Sequence, residues 1–323
     1  MTIETDWRPG AAMDNLRGRA RMLAQVRDFF ARHEVMEVDT QLMSHCAVSD
    51  PFIDSIEVAY APLPGQTSHT LYLQTSPEYA MKRLLAAGSG AIYQLGKVFR
   101  NGECGARHNP EFTMLEWYRP GFSAEQLMDE VEALVAAVIP GFGARRLSYR
   151  ELFLRELGID PHRAGVGELR ELCRRHVDAP FEDESRDTWL NLLMSHVIEP
   201  RLIEPLFVYA FPASQAALAE VVEDETGTPV ATRFELFVRG IELANGYREL
   251  TDAREQRRRL ELDQKKRAEL ALPQRPLEMR LVAALEAGLP ACAGVALGFD
   301  RLVMLALGAE RIDRVIPFAF ERA

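Results

Sequence analysis

Four carboxylates and two arginines stand in otherwise apolar surroundings. In "EFTMLEWY" (111–118) the alternation of a strand puts Phe112, Met114, Glu116 and Tyr118 on one face. An ionised carboxylate on such a face is costly unless a cation meets it. The pattern alone divides evenly between an internal salt bridge and a cationic ligand. In "FELFVRGIELANGYREL" (234–250), Glu235, Glu242 and Glu249 recur every seven residues. Asn245, Tyr247 and Glu249 share a face beyond Asn245-Gly246, a turn or bulge signal. Carboxylates on neighbouring strand positions repel unless cations lie between them. Mg²⁺ with a nucleotide phosphate would serve, because it takes one or two carboxylates plus phosphate oxygens. Two exposed glutamates and one paired glutamate would fit the pattern equally well.

The arginines suggest what else could bind. "FRNGE" (99–103) places Arg100 at a strand end, with a planar fork suited to phosphate or carboxylate. "GVALGFDR" (294–301) alternates Gly294, Ala296 and Gly298 with bulky residues and leads to Arg301 at a helix start, a position that favours anions. The small residues leave room for a ligand against the strand backbone. No Gly-Lys-Ser/Thr follows, so this is not a Walker A loop, and the glycine spacing is not that of a dinucleotide fingerprint.

Holding these groups requires strands backed by helices. Leu16, Ala20, Leu23, Val26 and Phe30 recur at three- and four-residue intervals, which predicts an amphipathic helix over 15–33. Ile56, Val58 and Tyr60 alternate as a strand does, and so do Leu71 and Leu73. Ser76-Pro77 offers an N-cap and a first-turn proline and Gly88 a stop, so a helix is predicted at about 77–87. Residues 91–99 and 111–119 read as strands. "SAEQ" (123–126) and "SYRE" (148–151) are capping-box patterns, and 187–198 is a further helix. After Pro205 strand patterns return in "LFVYAF", "ATRFELFVRGIEL" and "AGVALGF", before a helix from about Arg301. The polar stretch Arg254 to Arg275 reads as a solvated helix face. This order predicts an α+β fold, a mainly antiparallel sheet flanked by helices. One domain is expected over 1–323, with a helical insertion at about 123–200.

Composition narrows the function. A net charge of −10 over 323 residues argues against a protein that coats nucleic acid. Cys46, Cys104, Cys173 and Cys292 are far apart with no C-x-x-C spacing, so reduced thiols in a cytosol are expected, without a zinc ribbon or redox motif. The first twenty residues carry Glu4, Asp6, Arg8, Arg17 and Arg19 and no apolar core, which speaks against a signal peptide. The longest apolar run, 287–299, contains Pro290 and is too short for a membrane span. A cytoplasmic location follows as the expectation.

Taken together, the motifs resemble the catalytic core of class II aminoacyl-tRNA synthetases, the lysyl subgroup above all. "FRNGECGARHNPEFTMLEWY" is similar to the second signature motif, "RGIELANGYREL" to the lysine-binding strand and "GVALGFDRLVML" to the third motif. The helix at 15–33 with "MEVDT" is similar to the first. Two departures point to a smaller family. The helix begins too early for the anticodon-reading OB-fold domain of lysyl-tRNA synthetases, and Ala296 replaces the glycine of their third motif. Both features, with "TSPEYAMKR" and "FPASQAALA", resemble the ligases that attach (R)-β-lysine to a lysine side chain of translation elongation factor P. A lysyl-tRNA synthetase paralogue acting on tRNA, and a non-catalytic synthetase-like regulator, are the alternatives.

The resemblance implies ATP as substrate, Mg²⁺, activation of the amino acid as an adenylate, and transfer to elongation factor P. It implies no tRNA, no membrane and a homodimer, although Gln41 stands where the first motif usually has proline. Arg100 and Arg301 are implied as catalytic. ATP would lie against Arg100, Asn101, Gly102, Glu103, His108, Asn109, Phe112, Glu242, Leu243, Gly298 and Arg301, with Glu103 one place later than the usual motif-two glutamate. Glu235 and Glu242 would hold the metal. The amino acid, lysine or (R)-β-lysine, would lie among Ser76, Pro77, Glu78, Glu116, Tyr118, Asn245, Tyr247, Glu249 and Ala296. The Ala296 methyl would reshape the pocket floor for a β-amino acid.

Overall fold

In a computed structural model, which describes residues 7–63 and 65–323, helix α1 (Met13–Arg32) forms where its spacing predicts, but the face it buries is Gly18, Met22, Val26, Phe29 and Phe30. Of the predicted stripe Val26 and Phe30 are buried, Leu16 and Leu23 half-buried and Ala20 exposed. Strands β1 (Met36–Glu37), β2 (Met43–Ser44), β3 (Glu57–Tyr60) and β4 (His69–Leu73) lead to α2 (Glu78–Ala86). The hairpin β5 (Ile92–Phe99) and β6 (Glu111–Pro120) is followed by α3 (Ala124–Val138) and β7 (Arg145–Ser148). Then come α4 (Tyr149–Leu157), α5 (Val166–Arg174) and α6 (Arg186–Leu193). Strands β8 (Leu206–Pro212), β9 (Val221–Glu223), β10 (Pro229–Val238) and β11 (Ile241–Arg248) precede α7 (Ala253–Glu269), α8 (Met279–Gly288), β12 (Cys292–Gly298) and α9 (Phe299–Leu307).

The main sheet runs β1-β5-β6-β12-β11-β10-β8-β7, with β9 added on β10. Its pairs are antiparallel except β1–β5 and β7–β8. The α+β expectation therefore holds. Both capping boxes form: Ser123 with Gln126, and Ser148 with Glu151. The four cysteines are free.

Three features differ from the sequence reading. The run read as one strand at "ATRFELFVRGIEL" is a hairpin. Arg239 and Gly240 take left-handed φ values of 53° and 65°, as a two-residue turn of matching twist needs. The helices of 123–200 divide between two cores. Leu127, Val131, Leu134 and Val135 of α3 pack under the main sheet with α1, whereas α4–α6 build a second core around Tyr149, Phe153, Leu169 and Trp189. Finally, Arg267 and Arg275 are buried, not solvated. Arg267 donates to the carbonyls of Pro273 and Asp50, and Arg275 pairs with Asp54 and Glu57.

The acid of "GFDR" has a structural task. Asp300 is buried, accepts the Thr113 backbone N–H at 2.8 Å and pairs with Arg19, which also donates to Thr113 Oγ1. Asp300 thus ties α1, β6 and α9 together. Breaking a buried pair of this kind costs about 3–5 kcal/mol.

Candidate active site

The strand registers place the candidate residues in rows across one face of the sheet. Glu235 of β10 lies opposite Asn245 of β11, Asn245 opposite Ala296 of β12, Ala296 opposite Glu116 of β6, and Glu116 opposite Gln94 of β5. The next row is Arg233, Tyr247, Gly294 and Tyr118. A bulge in β11 brings Glu242 to the same face. The register shifts between Leu236 and Phe237, so that Leu243 and Ala244 both turn into the core. Glu242 and Asn245, three positions apart, then share the site face. A cleft of about 1120 Å³ opens over these rows, lined by Ser76, Glu78, Glu199, Glu235, Glu242 and Tyr247 among others.

At one end the acids are buried. Glu116 is 2% exposed and accepts from Ser76 Oγ at 2.8 Å and from the Tyr118 hydroxyl at 2.7 Å. Burial, then Glu78, pushes its carboxyl up to about 7. Ser76 Oγ also accepts the Glu78 backbone N–H at 3.0 Å, but the N-cap of α2 is Pro77, one place later than the sequence suggests, and no side chain caps it. Lys82, with no exposed side chain, reaches Glu78 Oε1 at 2.7 Å and Glu249 Oε2 at 2.5 Å. Glu249 Oε1 is buried with no hydrogen-bond donor. Burial raises the Glu249 carboxyl to about 8 against the pull of Lys82, with Glu78 and Glu116 adding to the rise.

At the other end the groups are half-open and cationic. Arg100 lies over the Phe112 ring at 5.3 Å and 3.6 Å from Glu103, and its buried Nε has no partner. Arg301, in the first turn of α9, donates to the Glu242 carbonyl at 2.7 Å and meets His108 Nε2 at 2.7 Å. Burial and the neighbouring Arg301 lower the His108 pKa, so the ring stays neutral near pH 7. Between the two ends stand three more carboxylates. Burial lifts Glu235 to about 8 despite its pair with Arg233, and lifts Glu199 to about 7 with Glu242 adding to the rise.

The family model for class II tRNA synthetases (D, K and N) matches residues 4–322. The chain belongs to that family. It is 50% identical to the elongation factor P–(R)-β-lysine ligases of Proteus mirabilis, over all of both chains, and of Vibrio cholerae, over 99% of each. The ligase of the same name from Yersinia pestis is also 50% identical, over 98% of each chain.

Within this synthetase fold the expected residues do not all face the cleft. Pro77 is buried at the start of α2, where its carbonyl accepts from Ala80 and Met81. Leu243 is a core residue, so its backbone alone could touch a nucleotide. Asn109 spends its amide on the backbone of Glu111 and Phe320, and Asn101 spends its own on Asp54. Gly102 turns the motif-two loop at φ 77°. Glu249 meets an internal lysine through Oε2, while its Oε1 is left for the ligand ammonium that the resemblance suggested.

The bare backbone of β12 also has a different cause than expected. A Cβ on Gly294 would collide with the Tyr118 ring and Glu249, so the protein's own side chains fill that space. Asn245-Gly246 is no turn: a Cβ on Gly246 would strike Phe234 and Val295 across adjacent strands. At Gly298 the nearest neighbour is the Arg301 stem at 3.4 Å. Ala296 is half-buried, opposite Asn245 on one neighbouring strand and Glu116 on the other.

Sequence reasoning passed over Lys82, Arg233 and Glu199. Lys82 lies at i+4 from Glu78 in "TSPEYAMKR", and Arg233 lies two places before Glu235, the same-face spacing of a strand. Both spacings were legible. Glu199 reaches the site from the 3₁₀ turn Glu199–Arg201, and no periodicity signals it.

The residues fit nucleotide and metal. Arg100 Nε is an unengaged buried donor for an anion. The Glu242 carboxylate lines the cleft, near enough to Arg233 for its charge to be felt there. No group of three or more His, Cys, Asp or Glu side chains among the described residues is arranged to hold a metal alone. Two carboxylates completed by phosphate oxygens is the arrangement Mg²⁺ favours.

Proposed function

We propose that the chain is an ATP-dependent ligase that activates (R)-β-lysine as an adenylate and transfers it to a lysine side chain of translation elongation factor P. One observation carries this reading. The row from Glu235 to Glu116 sets carboxylates across one face of a sheet whose strands β5 and β12 lead to Arg100 and Arg301, in a chain half identical throughout to ligases of that name.

Glu78, Glu116 and Glu249 meet the ammonium groups of the amino acid, and Ala296 sets the floor beneath it. A carboxylate oxygen of the amino acid forms a bond to the α-phosphorus of ATP. The bond to the β-phosphate breaks, and pyrophosphate leaves with that electron pair. Arg100 neutralises charge building on the α-phosphate, Phe112 supports the adenine, and Arg301 holds the γ-phosphate. Magnesium, held by Glu242 and Glu235, would neutralise phosphate oxygens. The uncharged acceptor amine then attacks the anhydride carbonyl. An amide forms, AMP leaves and the amine proton passes to solvent. Most of the catalysis is positioning and fixed charge.

The chain acts in the cytoplasm, as a homodimer and not on tRNA. Net charge −10 disfavours a polyanion, exposed Met36, Leu42 and Met43 offer an apolar patch for pairing, and no helix among the described residues is long and apolar enough to cross a membrane. Light scattering that gives a monomer mass would remove the dimer. Incubation with ATP, (R)-β-lysine and elongation factor P should add one β-lysyl group, read by mass spectrometry. No added mass and no adenylate would end the proposal, and lysylation of tRNA instead would redirect it.

A further inference from the structure

Lys82 has no place in the chemistry above. Its side chain is closed to solvent, and it ion-pairs with Glu78 on its own helix and with Glu249 at the end of the hairpin that carries Asn245 and Tyr247. These two acids lie on separate elements and meet the ligand's ammonium groups in the proposed function. One nitrogen therefore fixes their separation. It also fixes the charge. Glu78, Glu116 and Glu249 would bring three negative charges, and one internal ammonium leaves two, the number that a diammonium amino acid neutralises. The other polar groups facing this cluster are the hydroxyls of Ser76, Tyr118 and Tyr247 and the thiol of Cys292. The facing side of α8, Leu281 and Leu285, is apolar. Among the described residues no second cation pairs with these three acids.

We propose that Lys82 is a positioning and specificity residue, which bridges Glu78 to Glu249 and holds the net charge of the amino-acid pocket at the value that selects a diammonium substrate. Without it the surplus acid takes up a proton, and a carboxyl that should accept from the ligand becomes a donor. Lys82 itself keeps its proton: burial opposes the charge, but Glu249 and Glu78 more than offset it.

The inference rests on the proposed reaction, so the wild-type protein is assayed first by amino-acid-dependent pyrophosphate exchange across pH 6–9. Lys82→Met should raise KM for (R)-β-lysine at least tenfold at pH 7.5, leave KM for ATP within twofold, and move the midpoint of the pH profile of the amino-acid KM up by about one unit or more. Lys82→Arg, which keeps the charge, should restore the wild-type midpoint even if packing lowers its activity. Should Lys82→Met fail to fold, Lys82→Met/Glu249→Gln removes the surplus acid with its partner. That pair should fold and, although the loss of Glu249 raises its amino-acid KM, show no upward shift of the pH midpoint. A Lys82→Met protein with an unchanged midpoint, or with both KM values raised in parallel, would overturn the inference. A wild-type protein without exchange would overturn the proposed reaction instead.

Discussion

On the proposed function, the two ends of the site solve opposite electrostatic problems. At the nucleotide end the protein supplies cations, Arg100 and Arg301, and leaves them half-open beside Phe112, His108 and the Glu242 carbonyl. At the amino-acid end it supplies carboxylates, buries them, and places a lysine of its own among them. The difference follows from what each ligand carries. A triphosphate brings a large negative charge and keeps much of its hydration, so an exposed guanidinium fork suffices. A diammonium amino acid must be told apart from similar small molecules, and discrimination needs groups that are costly when left unpaired. Hence the burial, and hence the raised carboxyls of Glu116 and Glu249 at about 7 and 8. The nucleotide end works by charge delivered on arrival, and the amino-acid end by charge held under strain beforehand.

If that division is right, damage at the two ends should read out differently. The largest effect is expected from Arg100→Ala. Removing a preorganised donor to developing charge typically costs about 10²–10³ in rate. Pyrophosphate exchange should fall by that factor, while (R)-β-lysine binding, followed by calorimetry without ATP, stays near wild type. Weakened amino-acid binding in this variant would show that the two ends are one electrostatic unit. Ala296→Gly should act at the other end only. One methyl is worth roughly 1–3 kcal/mol of discrimination, so use of α-lysine relative to (R)-β-lysine should rise by about tenfold or more, with KM for ATP unchanged. An unaltered ratio would remove the role given to the methyl.

Much of this arrangement was legible in the sequence because it is local. Period-two spacing put Glu116 and Tyr118 together, and capping boxes placed two helix starts. What escaped depends on register between strands or on contacts distant in sequence. Glu235 and Glu242, an odd number of positions apart, could not be set on one face by counting, since the Arg239-Gly240 turn changes the parity once, and the bulge at Leu243 then sets Asn245 on the same face as Glu242. Gly294 read as space for a ligand, because only the register with Tyr118 reveals what fills it. The even choice between internal and external cations resolved differently for each acid. Arg233 answers Glu235, Lys82 answers Glu249, and Glu116 has hydroxyl partners alone.

That last distinction sets the smallest expected effect and its sign. The Glu116 carboxyl of the free protein rises to about 7, mainly through burial and then through Glu78. An ammonium ligand binds the ionised form, so binding must expel any proton present. The Glu116 share of amino-acid affinity should therefore be level above pH 7 and fall as pH drops, approaching tenfold per unit well below 7 for one proton displaced. Stability runs the other way in the free protein. A carboxyl whose folded pKa lies above its unfolded value favours the fold below about pH 4.5, and that contribution is lost as pH rises through 7. The rise in Tm caused by saturating (R)-β-lysine should thus be larger at pH 8 than at pH 6. Glu116→Gln tests the assignment, since it keeps the shape and removes the titration. Its affinity should be weak and lose the part of the pH dependence that Glu116 supplies. If Glu116→Gln binds as tightly as wild type at pH 8, the ammonium is held elsewhere, and the buried end would be a structural salt-bridge cluster and no more.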